Sequence, residues 1–297
     1  MSATPIRFER LTHDYGSHRA LHDLTLSVPE GSIYALLGRN GAGKTTALKC
    51  LLGFQTPTRG RAELLGYNSM DLPPAERGRI GYVAEGQQLI PWMTVNGLVN
   101  LQARSFPGFD RERCHQWLDR LGLPLKRRVF RLSRGMRAQL ALALALATHP
   151  SVVILDDPAM GLDAVVRREF LEVMIELIQE EGRTLLFTSH ILQDVERVAD
   201  RVGILVDGVL RVDASVEKLK SSVLRYRCDL EAGPAELSGV VATRRMPGEL
   251  SLTVVGAAAE VEAALRAHGA TSVDIERLAL EDLFIDYTTY KPGEVAA

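Results

Sequence analysis

Residues 38–46 read Gly38-Arg39-Asn40-Gly41-Ala42-Gly43-Lys44-Thr45-Thr46. A glycine, four residues, then Gly-Lys-Thr is the spacing of a phosphate-binding loop. Glycines let consecutive backbone N–H groups turn inward around a phosphate chain, on a path that uses positive φ and leaves no room for Cβ atoms. In such a loop Lys44 reaches the β and γ phosphates and Thr45 holds Mg²⁺, while the helix behind adds its orphan donors and dipole. A plain glycine turn between strand and helix is the competing explanation. The loop alone does not separate a kinase from a GTPase or a motor.

Its companions narrow the choice. Residues 152–155 form an apolar run that ends in Asp156-Asp157-Pro158, putting two acids where a magnesium ion and an attacking water need carboxylates. Leu132-Ser133-Arg134-Gly135-Met136 comes shortly before, and Ser133 is a good helix cap whose first-turn N–H groups suit an anion. His190 follows the apolar strand expected over 184–189, at the edge where phosphates would sit.

With these motifs in this order, residues 4 to about 220 resemble the nucleotide-binding subunit of an ABC transporter. The resemblance implies a P-loop NTPase (RecA-like) α/β core with a parallel sheet, an antiparallel β subdomain and a helical insert, binding ATP and Mg²⁺. It makes Tyr15 the aromatic on adenine, Asp156 the magnesium aspartate and His190 the switch histidine. Ser133 and Gly135 become the family signature, and Gly161-Leu162-Asp163 the loop across a dimer. Two subunits would pack head to tail, each signature completing the other's ATP site, and drive separate integral-membrane permease subunits from the inner face of the cell membrane. Single cassettes with a short carboxyl appendage are often exporter-like.

Three positions depart from the usual pattern. Asp157 stands where a glutamate commonly acts as base or water-orienting group, one methylene shorter, which implies slow hydrolysis. Glu85 stands where a glutamine leads toward the membrane partner; it could ligate Mg²⁺ or hold the water, and Gln87 and Gln88 are alternatives the sequence leaves open. The signature carries Arg134, either a cation for the trans phosphate or a solvated charge.

Around these residues, short strands are expected at 6–8, 24–28, 33–37, 61–65 and 79–84, and the helix 44–52 stops at Gly53. Residues 91–150 read as the helical insert, with Thr94, Asp110 and Ser133 as caps. A helix over 165–181, a strand 184–188, a helix 191–199 and a hairpin turning at Asp207-Gly208 follow. The cassette is therefore assigned to residues 1–220. Order breaks near Ser221, and residues 221–297 read as a small C-terminal α+β appendage without a catalytic motif.

Composition excludes more than it identifies. With 35 basic and 37 acidic residues the charge balance points to neither nucleic acid nor an anionic membrane. Three dispersed cysteines give no zinc site and no disulfide framework. No secretory leader is evident, the longest apolar run is 140–147, and a cytoplasmic protein is expected. The rival readings are an ATP-gated dimerisation switch that barely hydrolyses, and a soluble ABC-type ATPase acting on DNA or ribosomes. The latter relatives usually carry tandem cassettes or coiled coils. A small GTPase is disfavoured because no Asn is followed by Lys.

Overall fold

The computed structural model describes residues 4–179, 182–230, 237–256, 258–289 and 295–296. Strand β1 (Ile6–Tyr15) pairs antiparallel with β2 (His18–Val28), and β3 (Ile33–Leu37) runs through the glycine loop into α1 (Lys44–Leu51). With β4 (Arg59–Leu64) and β5 (Tyr67–Asn68), the first two strands make an antiparallel sheet ordered β2-β1-β4-β5. A short α2 (Pro74–Arg77) then leads into β6 (Ile80–Val83). The helical insert follows as α3 (Val95–Ser105), α4 (Arg111–Arg120) and α5 (Arg134–Leu146). Thr94, Asp110 and Ser133 cap these helices by accepting the backbone N–H of Gly97, Arg113 and Met136.

From β7 (Val152–Leu155) the chain alternates: α6 (Ala164–Gln179), β8 (Thr184–Ser189), α7 (Leu192–Val198), β9 (Arg201–Val206) and a hairpin into β10 (Val209–Ser215). Residues 180 and 181, at the end of the helix expected over 165–181, lie outside the described residues. The central sheet is ordered β10-β9-β3-β8-β7-β6, parallel except for β10. Strands β3 and β7 at its centre are apolar and buried throughout because both faces are covered. Ile33, Ala35 and Leu37 of β3 face the core under the helical insert, whereas Tyr34 and Leu36 face the core shared with α1 and the antiparallel sheet. All carboxyl ends of the parallel strands therefore open on one edge, the edge at which ligands of such sheets bind.

The remainder differs in detail from the sequence-based expectation. In place of a break at Ser221 there is α8 (Val216–Ser222), capped by Ser215 and running through the 220/221 boundary directly into β11 (Val223–Cys228). Strand β12 (Val240–Met246), absent from the sequence reading, pairs with β13 (Glu249–Val255). After α9 (Ala258–Ala267) come β14 (Val273–Arg277), α10 (Leu280–Thr289) and β15 (Val295–Ala296), giving a third sheet ordered β14-β11-β13-β12-β15.

Helix α9 supplies Val261 and Leu265 to a small apolar core on one face of that sheet. Helix α10 faces both ways. Leu280, Leu283 and Phe284 join the main core, and α10 packs on α7 and β9. Its fully buried Asp286 accepts hydrogen bonds from Arg225 of β11 (2.9 Å), Thr253 of β13 (2.5 Å) and Arg244 of β12. Among the described residues no helix is long and apolar enough to cross a membrane.

Candidate functional site

The loop after β3 is shaped by what cannot fit beside it. A Cβ at Gly43, where φ is +105°, would lie 2.6 Å from the Ala20 carbonyl, and one at Gly38 would lie 2.6 Å from the Leu205 carbonyl. Only glycine permits the chain to pass so close to β2 and β9 while opening its N–H groups toward the cleft. Lys44 begins α1 buried beneath this wrap, its ammonium donating to the carbonyls of Gly38 (2.7 Å) and Arg39 (3.1 Å). Burial lowers the Lys44 pKa, and the carboxylates of Asp157, Asp156 and Glu85 oppose that shift. A lysine so placed is a cation partly stripped of water, held beside fixed negative charge.

The acids stand across the cleft at the end of β7. Thr45 Oγ1 donates to Asp156 Oδ1 at 3.2 Å. The same oxygen receives the Thr188 hydroxyl at 2.7 Å, from inside β8. Asp157 adopts φ +41°, a left-handed conformation rare for a residue with a side chain, and its N–H donates to Thr188 Oγ1 at 2.8 Å. Its carboxylate is turned to His190, whose Nδ1–H donates to Asp157 Oδ2 at 2.6 Å.

A cleft of about 350 Å³ is lined by Tyr15, Asn40, Gly41, Gly43, Lys44, Thr45, Thr46, Glu85, Asp156 and Asp157, together with His18 and Ala20. Ala42 is buried in the turn, its N–H on the Arg39 carbonyl. Tyr15 stands at the rim, 42% exposed, with its hydroxyl on Gln55 Oε1 and its ring edge-on to His13. Of the three alternatives at the loop after β6, only Glu85 lines this cleft. Gln87 is buried, donating its amide to the Pro158 carbonyl at 3.1 Å, and Gln88 lines a different groove.

Ser133, Gly135 and Asp163 are not in the cleft. The Ser133 hydroxyl caps α5, and Asp163 caps α6 by accepting from Val165 and Val166. Arg134 is exposed, and its guanidinium donates to the Gly161 carbonyl at 3.3 Å, tying the start of α5 to the loop before α6. Sequence reasoning missed His18 and Thr188. A hydroxyl inside an otherwise apolar buried strand was the available signal for Thr188, which is 0% exposed.

The donor set is hydroxyl and carboxylate oxygen, the hard chemistry that suits Mg²⁺. Among the described residues no group of three His, Cys, Asp or Glu could hold a metal ion, so an ion here needs phosphate and water for its remaining positions.

Comparison with known proteins agrees with this geometry. A family described as ABC transporter matches residues 21–160. The bacitracin transport ATP-binding protein BcrA of Enterococcus faecalis is 34% identical over 225 residues, spanning 74% of this chain and 72% of its own length. A solved ATP-binding subunit of an ABC transporter superposes with a TM-score of 0.65 at 29% identity, covering 73% of this chain and 92% of that one. The dimeric bacterial ABC transporter cassette MJ0796 gives a TM-score of 0.64 at 26% identity, covering 71% and 98%.

Proposed function

This chain belongs to the family of ABC transporter ATP-binding proteins, and on that premise we propose how its own residues bind and cleave ATP. The chain is an ATP-hydrolysing subunit of an ABC transporter. The observation that carries the residue assignments is the meeting of Lys44, Thr45, Glu85, Asp156 and Asp157 in one cleft at the carboxyl edge of the parallel sheet. Gly38 to Thr46 wrap the phosphates, and Lys44 exchanges its carbonyl partners for the β and γ oxygens. Thr45 and Asp156 would hold Mg²⁺, with Glu85 facing the same space; bound there, the ion neutralises charge on the phosphate oxygens. Asp157 orients the attacking water, and His190 steadies it from the other side before turning to the γ-phosphate. Tyr15 offers a ring to the base.

Ser133 and Gly135 point to a second subunit, either another copy or a related ATPase chain, whose cleft they would complete. The start of α5 supports this, because none of its residues lines the cleft of its own chain. A groove beside β6, lined by Gln88, Gln102 and Phe106, together with the exposed Trp92 of the segment between β6 and α3, suits a membrane-subunit contact on the cytoplasmic side. We assign residues 1 to about 220, through the end of α8, to the cassette and the remainder, from β11 onward, to an accessory unit.

Single-turnover hydrolysis of MgATP by the purified protein is the test. Cleavage over minutes that disappears in Lys44→Ala supports the reading. ATP left intact by the wild-type chain, alone and with its membrane subunits, would favour the switch.

A further inference from the structure

We propose that Thr188 is a positioning residue for hydrolysis, fixing Asp156 and Asp157 relative to each other through one hydroxyl. The proposal rests on the roles just assigned to those two acids. A hydroxyl has one proton to give and lone pairs to receive. Thr188 Oγ1 accepts the Asp157 N–H at 2.8 Å, and its proton goes to Asp156 Oδ1 at 2.7 Å, so both of its roles are taken by the two acids. The side chain is 0% exposed and sits on β8, which pairs in parallel with β7, the strand that delivers both carboxylates.

Two consequences follow from the geometry. Asp156 is held from inside the sheet, on the oxygen it shares with Thr45, so its orientation persists when Thr45 turns to another partner. Asp157 is held by its backbone in a left-handed conformation at φ +41°, which sets where a short carboxylate can reach. With no extra methylene to adjust, the aim of Asp157 depends on its main chain, and Thr188 is the side chain that grips that main chain. A displacement of about 1 Å at such a group costs on the order of a hundredfold in rate.

The experiment compares Thr188→Val, Thr188→Ser and Thr188→Ala in the full chain, with Lys44→Ala as control, by single-turnover and steady-state ATP hydrolysis over a range of MgATP. Loss of the hydroxyl in Val and Ala should lower kcat roughly 10- to 100-fold with KM for MgATP changed less than about threefold. Ser should stay within about threefold of the parent. If Val does not fold, the Ser and Ala pair, differing by the hydroxyl alone, decides the matter. Val or Ala within threefold of the parent overturns the proposal, as does a loss shared equally by Ser, or a loss confined to KM. Turnover surviving in Lys44→Ala would instead remove the site assignment itself. A dead Lys44→Ala beside an active Thr188→Val removes only Thr188.

Discussion

At the scale of single residues, the cleft pairs groups that the sequence showed separately. The glycine loop, Asp156 and His190 were legible because each is a short, local pattern whose chemistry demands those residue types. That His190 would pair with Asp157, and Glu85 rather than Gln87 line the cleft, was not. Both depend on where chain segments distant in sequence, 33 and 71 residues apart at these two contacts, meet on a common edge. Asp157 is one methylene shorter than the glutamate usual at its position, so Asp157→Glu should raise kcat, by up to about a hundredfold. Turnover unchanged or lower in a stopped-flow phosphate assay would contradict that account. Glu85 adds a negative charge facing Lys44 and the site assigned to Mg²⁺. Glu85→Gln should therefore shift the Mg²⁺ concentration for half-maximal activity, and an identical titration curve would take Glu85 out of the site.

At the scale of elements, the caps and buried strands were readable and the cross-contacts were not. Thr94, Asp110 and Ser133 are polar residues at the starts of helical runs, and each caps the helix it precedes. Strand β12 went unseen because Thr243, Arg244 and Arg245 break its apolar pattern; its place comes from pairing with β13 and from Asp286, which neutralises Arg244. The packing of α5 on α6 turns on Gly135, where an added Cβ would lie 2.4 Å from Val166 Cγ1. Gly135→Ala should cost about 1–3 kcal/mol by overpacking. Val166→Ala in the same chain should recover most of it in urea denaturation. Equal stability of the single and double variants would mean that this contact does not set the helix spacing.

At the scale of the whole molecule, α10 ties the C-terminal sheet to the cassette. The sequence predicts a final helix over 280–287, but not that its Leu280, Leu283 and Phe284 enter the main core while its own Asp286 is shared by three strands of the C-terminal sheet. Asp286→Ala would leave the 7%-exposed Arg225 without its close partner, and the ion pair's loss should cost about 3–5 kcal/mol. Amide exchange should then quicken in α10 and β11 together, while exchange in β3 and β7 stays slow. Protection unchanged throughout would show that the carboxylate contributes little to docking.

Function requires two molecules: ATP held by Lys44 of one subunit meets the Ser133 helix of another. The decisive measurement is sedimentation velocity on Asp157→Asn, which should bind but not cleave. With saturating MgATP a dimer should form that is absent without nucleotide and absent in the Lys44→Ala double variant. A chain that stays monomeric with MgATP at high protein concentration, and forms no ATP-dependent pair beside its membrane subunits, would contradict that requirement.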